Sequence, residues 1–220
     1  MPSPSAALVP TVLAACLLLS ACSTPQPLPY VGVASSPQMR PTARDGGKVP
    51  YEYRSVTDWR QYRSFVLDPV VIYRGPDQQF EDLGEEDKQR LAGYMQTRFG
   101  DKLSERFRPL AGPQADGLRI RLTLTGAKSS TAVLSTLSRF DLAGGPYNAV
   151  QAARGKEGAF TGSVSYAVEI FDAQSGALLH AYVAKQYPNA WNLRAGMGAL
   201  TASYQGIDDG ADELLRTLRR

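Results

Sequence analysis

Hydrophobic and polar positions along this chain follow two rhythms, one of period two and one near 3.6. Leu118, Ile120, Leu122 and Leu124 alternate with Arg119, Arg121, Thr123 and Thr125, the pattern of a strand with one covered and one wet face. Over Phe160–Asp172 the same alternation puts Val164, Tyr166, Val168 and Ile170 inward. The stretch Asp172-Ala173-Gln174-Ser175-Gly176 then predicts a turn, and Ala177–Tyr187 a returning strand, because a glycine closing a short polar loop is a hairpin signal. Further upstream, Ser64–Arg74 holds Phe65-Val66-Leu67 and Val70-Val71-Ile72-Tyr73 around Asp68-Pro69. A proline confines a strand to an edge or a bulge, so this run reads as one interrupted strand that ends at Gly75-Pro76.

The helical rhythm occurs twice. Leu91, Met95, Phe99, Leu103 and Phe107 recur every four residues, with Tyr94 alongside, and predict a helix over Glu85–Arg106. Glu85, Glu86 and Asp87 suit the positive end of its dipole, and Lys102, Arg106 and Arg108 the negative end. Asp82 and Glu85 have the spacing of a capping box. Leu200, Tyr204, Ile207, Ala211, Leu214 and Leu218 form a second one-sided stripe, predicting a helix over Leu200–Leu218. The order β-α-β-β-β-α gives an α+β fold of two layers, a small mixed or antiparallel sheet with both helices on one face. The helical crossover makes the first two strands parallel.

Before these elements lies a stretch of another kind. Ala6–Ala21 carries no charge, is mostly Ala, Leu and Val, and contains Pro10. It falls short of the roughly 20 residues that cross a bilayer and ends in small residues, as the apolar part of a secretory signal does. Met1-Pro2-Ser3-Pro4-Ser5 lacks the basic residues such a signal normally starts with. The run Leu17-Leu18-Leu19-Ser20-Ala21-Cys22 resembles the lipobox of bacterial lipoproteins. The resemblance implies cleavage between Ala21 and Cys22, a lipid on the Cys22 sulfur and an acylated new amine. Multiple acyl chains make such anchoring durable. Ser23 rather than Asp after the cysteine resembles an outer-membrane address, with the domain facing the periplasm. Cys16 leaves with the signal, so the domain after Cys22 has no cysteine for a disulfide.

The organisation expected from this is a signal over 1–21, a lipidated terminus and tether over 22–50, and one domain over 51–220. Pro25, Pro27, Pro29, Pro37, Pro41 and Pro50 punctuate the tether, whose mean reach as a flexible coil is about 30 Å. Part of it can also dock on the domain, with Tyr30 and Val31 as first contacts.

Charge and chemistry narrow the function mainly by exclusion. The net charge is +3 and the basic residues are scattered, without the stripe of a nucleic-acid binder. Gly196-Met197-Gly198 lacks the third glycine and the preceding strand of a dinucleotide site. There is no nucleophile elbow. The single histidine, His180, lies in a strand and weakens any triad or histidine-rich metal site. Glu157, Glu169 and Asp172 could serve carboxylate catalysis, although no spacing singles out a pair. Glu169 and His180 sit on the two arms of the hairpin and could meet. Asp208, Asp209, Asp212 and Glu213 read as a solvated helix face rather than a cation site. Arg119 and Arg121 are read as solvated on the open sheet face, with ligand binding as the alternative. No cofactor, no metal and no nucleic-acid partner is expected.

The connection Lys128–Ala159 exceeds ordinary loop lengths several-fold, and such loops are usually functional. A binding surface is expected there, with Arg139, Tyr147, Asn148 and Arg154 as candidates; the alternative is a flap over the sheet.

The runs Leu118–Thr125 and Gly162–Gly176 resemble the bacterial lipoproteins grouped as domain of unknown function 3313, over about residues 50–218. The resemblance implies a secreted, lipid-anchored domain and brings no chemistry with it. The resulting expectation is a non-enzymatic envelope lipoprotein that binds an envelope protein or cell-wall component. The alternative is a glycan-acting or peptidoglycan-binding module.

Overall fold

A computed structural model describes residues 28–44, 47–81, 83–129, 162–188 and 199–220. Its elements are β1 (Arg40–Arg44), β2 (Val49–Arg54), β3 (Ser64–Leu67), β4 (Val71–Ile72), α1 (Glu85–Ser104), β5 (Arg108–Pro109), β6 (Gly117–Lys128), β7 (Ser163–Asp172), β8 (Leu178–Gln186) and α2 (Thr201–Leu218). The strands form one open, eight-stranded mixed sheet in the order β1-β2-β8-β7-β6-β3-β5, with β4 also paired to β6. This is the expected α+β architecture, widened at both edges.

The long alternating strands make the centre. β6, β7 and β8 are antiparallel neighbours, with Ile120 opposite Ile170 and Val168 opposite Tyr182. β3 and β4 run parallel to β6, as a helical crossover requires. Pro69 marks the break between them. Leu67 faces Ile120 while Val71 faces Thr123, so the Asp68-Pro69-Val70 interruption holds one extra residue and the strand resumes after it, as in a bulge. Three strands that the sequence pattern did not reveal, β1, β2 and β5, flank this centre, with β1 and β5 at the edges.

Both helices lie on one face. The α1 stripe, Leu91, Met95, Phe99 and Leu103, is buried against Leu118, Ile120, Leu122 and Leu124 of β6 and Val164, Tyr166, Val168 and Ile170 of β7. The α1 cap position falls on Gly84, without a side-chain cap. The expected capping box is therefore replaced by the acidic first turn alone, and Asp82 lies outside the described residues. α2 approaches the sheet through small residues. A Cβ on Gly206 would stand 2.8 Å from Val164 Cγ1, and one on Gly210 would stand 1.9 Å from the Tyr166 hydroxyl. The helices meet through Tyr94 and Tyr204, with ring centroids 4.6 Å apart.

The opposite face departs from expectation. It is not left wet, and residues 28–39 are not a free tether. Tyr30, Val33 and Met39 are buried on this face with Tyr73, Ala167, Ala181 and Val183. Glu169, buried on β7, accepts the Ser35 backbone N–H at 2.8 Å, a charge-assisted bond that fixes the segment. β1 then pairs with β2. The folded body thus begins before residue 51. Proline density misled the reading because Pro29, Pro37 and Pro41 punctuate short turns and an edge strand that side-chain burial holds in place. Of the two anticipated contacts, Tyr30 is buried while Val31 is 88% exposed.

Candidate functional site

A cleft of about 360 Å³ opens at the end of the sheet where β6 and β8 finish and β7 begins. Asp77, Gln79, Glu81, Lys128, Ser165 and Lys185 line it, with Gln78, Ala127 and Ser163. The lining residues other than Ala127 are polar or charged by type and carry both signs of charge, although most of the surface they present to the cleft is apolar. Lys128 Nζ lies 3.7 Å from Glu81 Oε1.

A departure from regular strand geometry builds one wall. The β6–β7 register shifts between Leu124 and Gly126, leaving Thr125 as the extra residue. At that point residues 75–81 are laid along β6. Gln79 N–H donates to Thr125 O at 2.9 Å, and Ala127 N–H donates to Gln79 O at 3.1 Å. Only glycine permits the approach. A Cβ on Gly126 would be 2.6 Å from the Gln79 carbonyl oxygen.

The N-terminal segment supports the same wall from outside. Tyr30 hydroxyl donates to Gln79 Oε1 at 3.1 Å, and burial pushes its pKa up to about 12. Tyr73 hydroxyl donates to Asp77 Oδ1 at 2.6 Å. It also accepts the Gly32 N–H at 3.1 Å, while Asp77 Oδ2 accepts the Val31 N–H at 3.2 Å. Two lining side chains, Asp77 and Gln79, are therefore oriented by bonds from Tyr30 and Val31. On the far wall, Lys185 is buried, and its backbone N–H donates to Lys48 O at 2.8 Å.

Of the candidate side chains singled out in the sequence, none that is described lines the cleft. Arg139, Tyr147, Asn148, Arg154 and Glu157 lie outside the described residues, as do Ala21, Cys22 and Gly196-Met197-Gly198. Lys128, where the long connection begins, and Ser163, the first residue of β7, line the cleft. Glu169 and His180 do not meet. Glu169 is opposite Ala181 and His180 opposite Ile170, so the two side chains project from opposite faces. His180 is buried, and its Nε2–H donates to Glu52 Oε1 at 2.7 Å beside the rings of Tyr182 and Trp59.

Asp172 organises the β7–β8 turn. It accepts from Ser175 N–H at 2.7 Å, Ser175 hydroxyl at 2.8 Å and Tyr62 hydroxyl at 3.0 Å. These bonds, that from the Ser175 backbone foremost, hold its carboxyl below the ordinary aspartate value. Arg119 and Arg121 are only half-exposed and share Asp68, at 2.9 and 3.0 Å. The acidic positions of α2 include partners of α1: Asp208 accepts from Tyr94 and Arg98, and Asp212 pairs with Lys102. Among the described residues no cluster of His, Cys, Asp and Glu is arranged to hold a metal ion.

The sequence reading missed the cleft because its signals are indirect. Gly126 interrupts a strand pattern, a known mark of a bulge or of close backbone approach. Lys185 occupies a strand position among buried neighbours.

No curated protein matches the sequence. Among solved structures, the chain is similar to the PelC dodecamer from Paraburkholderia phytofirmans in space group C2, at 6% identity over 72% of this chain and 89% of that one, with a TM-score of 0.38. It is similar as well to a candidate lipoprotein from Caulobacter crescentus CB15, at 16% identity over 69% of this chain and 86% of that one, with a TM-score of 0.32. Scores at this level describe partial likeness of chain path. A family model is decisive where these are not. Residues 29–214 match the model described as Protein of unknown function (DUF3313), and the chain belongs to that family.

Proposed function

We propose that this is a lipid-anchored envelope lipoprotein, held through Cys22 in the outer membrane and facing the periplasm. Its domain binds an envelope partner at this cleft and does not turn it over. The observation that carries the reading is the cleft itself. It combines lysines, carboxylates, amides and hydroxyls at the mouth of the long 128–159 connection. Such a lining suits a hydrogen-bonding partner, with specificity set by a few placed polar groups. Two of the three carboxylates considered for catalysis have other tasks, and the third, Glu157, lies outside the described residues. Glu169 fastens the N-terminal segment and Asp172 fastens a turn, and neither lines the cleft.

The anchor rests on the uncharged Ala6–Ala21 stretch and the residues before Cys22. No helix among the described residues is long and apolar enough to cross a membrane. In-cell photocrosslinking tests the binding role. A photoreactive residue at Lys128 should capture a defined partner, and one at fully exposed Val56 should not. Lys185→Ala should weaken the capture while the domain still folds. Equal capture from both positions would overturn the assignment of the cleft.

A further inference from the structure

We propose that the end of the domain carrying the cleft rests on the lipid leaflet, with Val31 and Leu28 as its apolar contact. The inference rests on lipidation at Cys22. Residues 23–27 are all that separate that cysteine from Leu28. At no more than about 3.6 Å per residue, Leu28 lies within roughly 20 Å of the anchored Cα. The expected long tether would have let the domain wander. A body whose core starts at Tyr30 cannot do so.

The contact is held rigidly. Tyr30 adopts a left-handed φ of 45°, a conformation uncommon for a residue with a side chain. Val33 N–H closes the turn on Tyr30 O at 2.9 Å. The buried Tyr30 ring, the Gly32 N–H bond to Tyr73 and the Val31 N–H bond to Asp77 lock the turn from beneath. What this strained, clamped turn presents at its tip is an aliphatic side chain, Val31, 88% exposed, and Leu28, three residues earlier, is 48% exposed. Single exposed apolar residues are ordinary on protein surfaces. Position distinguishes these two: they are the first exposed apolar side chains of the described fold after the anchor.

Orientation follows from the same bonds. Asp77 and Gln79, which hold the Val31 turn, also line the cleft. A leaflet that meets Val31 therefore meets the cleft end of the sheet. Val56 lies beyond β2 near Leu179, at the opposite end.

The mature chain has no thiol besides Cys22, so an introduced cysteine is labelled uniquely. Full-length Val31→Cys and Val56→Cys proteins, matured in cells and purified, are labelled with an environment-sensitive fluorophore. They are reconstituted into phosphatidylethanolamine–phosphatidylglycerol vesicles containing headgroup-region spin-labelled lipid. Both proteins should float with the vesicles. Quenching at position 31 should exceed that at 56 by at least threefold. Flotation with equal quenching at the two positions would overturn leaflet docking and leave the anchor standing. Failure of both proteins to float would overturn the anchor and the docking together.

Discussion

Replacing Gly126 by Ala should destabilise the domain by about 2–4 kcal/mol. The added Cβ would meet the Gln79 carbonyl oxygen at 2.6 Å and the Gln79 carbonyl carbon at 3.0 Å. Backbone atoms tied into a turn cannot swing aside as a side-chain tip can, so residues 75–81 must move off β6. Overpacking of this kind costs about 1–3 kcal/mol. The displacement also lengthens the bonds between Gln79 N–H and Thr125 O and between Ala127 N–H and Gln79 O, each worth about 0.5–1.5 kcal/mol. Against this, alanine lowers the entropy of the unfolded chain, returning about 0.4–1 kcal/mol. Gly93→Ala is the control, the same chemical change inside α1 with nothing within 4 Å of the new Cβ. It should stabilise by about 1 kcal/mol through helix propensity. Urea unfolding at neutral pH compares the two, and a fall in Tm of about 5–15 °C for Gly126→Ala is the thermal counterpart. A Gly126→Ala protein within about 0.5 kcal/mol of the parent, or more stable, would refute the packing argument for the cleft wall.

Other outcomes follow from the bonds described. Asp172→Asn removes a carboxylate whose pKa is depressed in the folded state. The stability this carboxylate confers is present above its ordinary value of 3.8 and is lost as pH falls through the lower folded value. The gap between parent and variant in urea midpoints should therefore close below about pH 4, and a gap unchanged down to pH 2 would contradict the assignment. Tyr30 and Tyr62 are each raised to about 12, chiefly by burial. A raised pKa means their contribution is intact below the ordinary value of 10 and lost on the way up to about 12. Tyr30→Phe should flatten the alkaline fall in stability over that range, measured with tyrosinate absorbance as the internal titration. Asp68→Ala should cost about 1 kcal/mol in low salt and less in high salt, because Arg119 and Arg121 are half-exposed; a salt-independent loss would point to packing instead.

The centre of the fold was legible because it obeys single periodicities. The β6, β7 and β8 alternation and the α1 and α2 stripes decide which side chains are buried, and burial decides the layers. Pro69 even marked the break between β3 and β4. The edges were not legible. β1 and β5 are too short and proline-bearing to show a period, and β2 was divided between the expected tether and the expected domain. The covering of the second face was hidden for a different reason. Tyr30, Val33 and Met39 have no repeat among themselves; they are buried because Ala167, Ala181 and Val183, distant in sequence, offer a shallow apolar floor. The cleft is a third case. Gly126, Lys128 and Lys185 come together only through register, and a bulge of one residue is what brings Gln79 against the strand. Cys22, by contrast, needs no fold to be read, since a short apolar run ending in small residues and a cysteine is a local signal.

The mass and N-terminal peptide of the protein matured in its own envelope test the central claim most directly. The account predicts a chain that starts at Cys22 carrying a thioether-linked lipid and an acylated amine, and a Cys22→Ser chain that keeps residues 1–21 and leaves the membrane fraction. A mature chain that starts elsewhere, or that bears an unmodified Cys22 thiol and still floats with membranes, would contradict it.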